Sequence, residues 1–133
     1  MNDTRDAELA EHFRALRERA ATEAAALPPA NVQPTRYEVS CVPEGIDRAH
    51  FSIHVEYRGR DLWAVTRHRE CLAADGTWSW ESIPSEREDE WLARHRFDLD
   101  TALELAKQVA PLLTVNGFTV TEAIAMEARR NES

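Results

Sequence analysis

The sequence predicts an α+β fold: an antiparallel three- to four-stranded meander packed with helices, in the order α-β-β-β-(β)-α-α. Three observations carry that expectation. Residues 51–57 alternate apolar and polar, with Phe51, Ile53, Val55 and Tyr57 against Ser52, His54 and Glu56, the period of a half-buried strand. Gly59-Arg60 and Asp75-Gly76 supply tight turns between strand-like runs. Apolar residues recur every third or fourth position near both ends of the chain, the period of helices that bury one face.

At 133 residues, 43% hydrophobic and 30% charged, the chain has the size and balance of one domain that builds its core without a metal or disulfide staple. The expected organisation is a single compact domain over 1–133, with an amphipathic helix at 4–27 joined by a proline-rich linker at 28–34. In that helix Leu9, Phe13, Leu16, Ala20, Ala24 and Leu27 form a narrow stripe, and Pro28-Pro29 ends it. The stripe serves either packing on the chain's own sheet or association with a partner or a second copy, with Phe13 and Leu16 as the contact residues.

A first strand is expected over 35–42, with Tyr37, Val39 and Cys41 on one side, ending before Pro43. If Gly59-Arg60 is a two-residue turn, Tyr57 faces Leu62, Val55 faces Ala64, and Ile53 faces Thr66. Phe51, Ile53, Val55, Tyr57, Leu62 and Ala64 then form the core face. An unbroken strand onward to residue 73 gathers Trp63, Trp78 and Trp80 on the second face with Val65 and arginines. Ser85 with Glu88 reads as a capping box for a short helix through Trp91. Asp98 caps a longer helix whose apolar residues run from Leu99 to Leu113 and lie across the Phe51 face, with a stop near Pro111. In 115–118 the Asn116-Gly117 pair suits a hairpin turn, but its flanking strands would be very short, so Gly117 is expected to end one element, and Thr119 with Glu122 caps a last helix anchored by Val120, Ala123 and Ile124.

No specific catalytic signature emerges. His50 and His54 share a strand face but stand about 13 Å apart, too far for one metal ion. Cys41 and Cys71 read as reduced, buried structural thiols, and the four glycines are too dispersed for a phosphate loop. No catalytic residue, metal or cofactor is therefore expected. The leading expectation is a small acidic, non-enzymatic interaction or accessory protein that contacts a protein partner or itself.

The formal net charge of −8 makes nucleic acid an unlikely partner. Local acids, with Glu88 and Asp89 beside Trp91, suggest a surface for a basic protein, anchored by Trp91 and by Trp78 or Trp80. Two alternatives are a ligand or substrate pocket on the Trp63 face, beside His54, Glu56 and Trp80, and an RNA- or DNA-binding module using Arg58, Arg60, Arg67 and Arg69. Helix, three strands and helix is also the order of double-stranded-RNA-binding modules. Residues 98–108 nevertheless hold Lys107 as their only base, and no family resemblance follows. No apolar run is long enough to span a bilayer and the N-terminus shows no leader, so no membrane association and a cytoplasmic location are expected.

Overall fold

The computed structural model describes residues 3–24, 27–81 and 88–132. The chain divides into two compact units, Met1–Gln33 and Pro34–Ser133, each described by itself. In the first, helix α1 spans Asp3–Glu23 and buries none of its residues.

The second unit is α+β. Five antiparallel strands form a meander in sequential order: β1 (Arg36–Val39), β2 (Ile53–Tyr57), β3 (Trp63–Arg67), β4 (Glu70–Leu72) and β5 (Trp78–Trp80). Helices α2 (Asp89–His95), α3 (Leu99–Val109) and α4 (Val120–Glu132) follow, with a short hairpin, β6 (Thr114–Val115) and β7 (Phe118–Thr119), before the last. Phe51, expected in a strand, is buried in a 3₁₀ turn over Arg48–Phe51 that leads into β2.

The register corrects the sequence reading at two turns. Between β2 and β3 the loop closes with Arg58 N–H donating to the Leu62 carbonyl at 2.8 Å, which leaves three residues between them. Gly59, Arg60 and Asp61 all take positive φ, and the Tyr57 hydroxyl accepts from the Asp61 N–H at 3.2 Å. Tyr57 consequently pairs with Trp63 and Val55 with Val65. One added residue exchanges the faces of a strand, so Trp63 and Val65 join the Phe51 side, whereas Ala64 moves to the other and Leu62 is exposed.

The second correction is that the chain does not continue straight to residue 73. It reverses at His68-Arg69, with His68 at φ 58, and pairs Arg67 with Glu70 and Thr66 with Cys71. That turn contains none of the usual Gly, Asn, Asp or Pro signals. Leu72 then pairs with Trp78, and Glu70 with Trp80. The two shifts leave Trp63, Trp78 and Trp80 on one face as expected, but it is the core face.

α3 covers that face. Asp98 Oδ2 accepts from the Thr101 N–H at 3.1 Å and Oδ1 from its hydroxyl at 2.6 Å, which fixes the first turn. Ala102 and Ala106 are fully buried, and their small side chains let the helix lie close on Ile53, Val55, Trp63, Val65 and Leu72. Phe97 also bridges to β3, with N–H···O bonds of 2.9 and 2.7 Å exchanged with Trp63. Pro111 ends α3 in a 3₁₀ turn, as its missing N–H requires.

Asn116-Gly117 is a hairpin turn and not the simple element end expected. Both residues take positive φ, and Val115 pairs with Phe118. Thr119 and Glu122 form the expected reciprocal cap, at 3.1 and 3.2 Å. Val120 and Ala123 anchor α4, whereas Ile124 is exposed. A buried carboxylate does more: Glu127 Oε1 accepts from the Asp47 N–H at 3.0 Å and from Arg130 at 3.1 Å, and Arg130 also pairs with Asp47 at 2.8 Å. A Cβ at Gly45 would run into the Glu127 carboxylate, so a larger residue there has to displace that side chain.

Candidate functional site

The face of the sheet opposite α3 is polar. Glu81, just past β5, is its centre: Arg58 donates to Oε1 at 2.7 Å and Arg96 to Oε2 at 2.6 Å. Glu56 extends the network, accepting from the Thr66 hydroxyl at 2.7 Å and lying 3.3 Å from Arg36 and 3.6 Å from Arg58. Burial alone would raise the Glu81 pKa. The hydrogen bonds and charges of Arg58, with Arg96 and the Cys71 thiol, outweigh it and hold the carboxyl at about 2, against an ordinary 4.5.

Cys71 shows the reverse balance. Burial, reinforced by the negative charge of Glu81, pushes its thiol up to about 12. It therefore stays protonated at neutral pH and is a poor nucleophile. Cys41, expected to be buried, is exposed instead, because β1 ends at Val39 and Val42 takes the core position.

α2 lies against β5 on the polar face through His95. Nδ1 of His95 faces the Trp91 carbonyl at 2.7 Å, so it carries a proton, and Nε2 meets the Ser79 hydroxyl at 2.9 Å. Its ring stacks on Trp91 at 4.0 Å, and the Arg96 guanidinium sits 5.4 Å from the Trp91 ring centroid. Ser79 and His95 form a hydroxyl–imidazole pair, but the imidazole is buried. A cleft of about 230 Å³ beside the network is lined by Glu56, Arg58, Thr66, His68, Arg69, Glu70 and Glu81, and Ser79 is not among these. His54 lies on the same sheet face, 4.0 Å from Glu38; burial and then Arg36 lower its pKa, against the opposing pull of Glu56 and Glu38. As chemistry, the cluster is a set of mutually compensated charges that joins β2, β3 and β5 to Arg96 at the end of α2.

The residues singled out from sequence are dispersed. Trp63 is a core residue, 6% exposed, packed with Tyr57 and Tyr37 at ring distances of 5.1 and 5.7 Å. Trp78 is half-buried on the same face, and Trp80 at the sheet edge is 60% exposed, with Arg69 over its ring at 5.7 Å. Trp91 lies on the opposite side of the sheet, on α2, where Glu88 and Asp89 stand exposed at the first turn. The expected Ser85 cap falls outside the described residues, and Glu88, in the cap position, makes no side-chain cap bond.

Of the basic residues, Arg58 and Arg69 line the cleft together with three acids, whereas Arg60 and Arg67 are not among its lining residues. Arg58 is paired with acids, Arg67 Nη2 is tied to the His50 and Thr114 carbonyls, and Arg69 lies on Trp80. Arg60 is exposed in the β2–β3 loop. Phe13 and Leu16 are exposed on α1, at 59% and 44%. Arg96, His95 and Glu127 were not foreseen as structural centres. Arg96 and His95 make contacts 15 and 16 residues away, and Glu127 one 80 residues away, which no local spacing encodes.

Among the described residues, no group of His, Cys, Asp and Glu is placed to hold a metal ion, and no helix is long and apolar enough to cross a membrane. Comparison with protein-family models, with curated proteins and with solved structures returns no match.

Proposed function

We propose that this protein works through protein–protein contact, as an accessory or regulatory component whose docking element is α1. One observation carries the reading. A helix of 21 residues buries none of them, yet sets Leu9, Phe13 and Leu16 three and four residues apart on one stripe. Helices of this length owe most of their stability to packing of an apolar face, and none of the described residues of this unit buries this one. Burying a Leu or Phe side chain contributes about 1.5–3 kcal/mol, so three of them supply useful binding energy even after ordering costs. The exposed Glu88 and Asp89 beside half-buried Trp91 offer a second, smaller contact for a basic partner surface. Two free cysteines, one exposed, fit a reducing compartment such as the cytoplasm.

The test is site-specific photo-crosslinking in cells that make the full-length protein. A benzophenone amino acid at Phe13, on the stripe, is expected to give an adduct of discrete mass. The same group at Glu18, on the opposite side of the helix, is expected to give little. Equal adduct formation at both positions, or none at Phe13, contradicts the reading.

A further inference from the structure

Resting on the docking role of α1, we propose that its occupant is an amphipathic helix of a different protein whose apolar seam is flanked by acidic residues, and not a second copy of this chain. The charge pattern around the stripe carries the inference. In heptad terms Leu9 and Leu16 take d positions and Phe13 and Ala20 take a positions. Between Leu9 and Ala20 the positions beside the seam hold His12 and Arg19 on one side and Ala10 and Arg17 on the other, so the flanks contain bases and no acid. The acids of this stretch, Glu11 and Glu18, lie on the back of the helix, where Glu11 pairs with Arg14 at 2.8 Å. Arg17 and Arg19 are fully available: both are exposed and, among the described residues, neither forms an ion pair.

The ends of the stripe argue against self-pairing. Asp6 and Glu23 occupy the next a and d positions and bound the seam. A parallel in-register dimer sets Asp6 against Asp6, Glu23 against Glu23, and His12 beside Arg17 of the other copy. An antiparallel dimer centred between Phe13 and Leu16 sets Asp6 against Glu23, and His12 beside Arg19 of the other copy. Both arrangements oppose like charges along a seam only four residues long, and like-charge juxtaposition is how helices reject wrong partners. A partner with Glu or Asp at its flanking positions satisfies Arg17 and Arg19 instead. It needs about three helical turns, since the seam is about 17 Å long. An anionic membrane surface is a poorer match, because the polar side of α1 mixes Glu8, Glu11 and Glu18 with its bases, whereas helices that lie on anionic membranes have polar faces rich in Lys and Arg.

Fluorescence anisotropy with the full-length chain and two labelled synthetic helices tests this. Both helices are about 20 residues long, enough to hold helical structure, and share one leucine seam. One carries Glu at every flanking position and the other Lys. The Glu-flanked helix is expected to bind about tenfold more tightly or better, from several exposed ion pairs acting together. The preference reverses in the Arg17→Glu/Arg19→Glu double variant, and Leu16→Asp abolishes binding of both.

Equal or tighter binding of the Lys-flanked helix overturns the acidic-helix assignment and leaves the docking role of α1 intact. So does Leu16-dependent self-association in sedimentation, or Leu16-dependent binding to phosphatidylglycerol vesicles in place of the peptides. Absence of Leu16-dependent association with peptide, vesicle or second copy overturns both.

Discussion

α1 and α3 have the same apolar period and opposite fates. α3 buries Ala102 and Ala106 and half-buries Leu99, Leu103 and Val109 against its own sheet, whereas α1 leaves Leu9, Phe13 and Leu16 exposed. The difference lies in what fills the stripe. Small residues along the middle of α3 let its backbone approach β2 and β3, so the larger side chains at its margins reach the sheet as well. α1 instead has Phe13 in the middle of a narrow seam with Leu9 and Leu16, and the docking reading proposed above rests on that exposed seam. The shared apolar period therefore does not by itself decide whether a helix is buried: the size of the side chains in the stripe differs between the two.

The sharpest way to break this contrast is to truncate an aromatic on each side of it. Trp63→Ala, which empties the core beneath α3, is expected to cost about 3–5 kcal/mol in denaturant unfolding. Phe13→Ala, at an exposed position, is expected to stay within about 0.5 kcal/mol. Comparable losses from the two would mean that both stripes serve the same core.

On the other side of the sheet, Arg96→Ala leaves Glu81 with Arg58 still beside it, so the loss is expected at about 2–3 kcal/mol, below that for an orphaned buried charge. Arg96 and Glu81 have side-chain exposures of 6% and 12%, which makes this a buried pair and not a surface one. The same cluster sets an acid limit. Because Glu81 titrates at about 2 in the folded protein, against an ordinary 4.5, its contribution is complete above pH 4.5 and is lost as the pH falls towards 2. Thermal melts between pH 2 and 6 are expected to show that limb, and Glu81→Gln to flatten it.

A smaller effect, about 1–2 kcal/mol, is expected for Gly45→Ala, whose new methyl meets the Glu127 carboxylate. Glu127→Ala removes the obstacle, so the double variant is expected to lose less than the sum of the single losses. Strict additivity would show that the close approach at Gly45 has no energetic consequence.

Much of the body was legible because its signals are local. Asp98 and Thr101, Thr119 and Glu122, and Pro111 each act within one helical turn, and each performs its expected role. Strand faces depend on counting residues through loops, and one extra left-handed residue between Tyr57 and Trp63 exchanged them. The reversal at His68-Arg69 is held by its pairing context and carries no compositional mark. Asn116-Gly117 did carry one, but two-residue strands are too short to show alternation. The polar cluster was hidden for another reason: Arg58, Glu81 and Arg96 look like ordinary surface charges until folding brings them together over 15 and 23 residues. The α1 stripe was legible as a stripe, and its flanking charges become informative only once its apolar residues are seen to be exposed.

Amide hydrogen exchange on the monomeric full-length chain tests the unoccupied state of α1 most directly. The account predicts that amides of α1 exchange at rates close to those of a fraying isolated helix, while those of α3 are protected to near the global unfolding limit. Protection of α1 in the monomer as strong as that of α3 would mean its stripe is already filled, and would contradict the docking role.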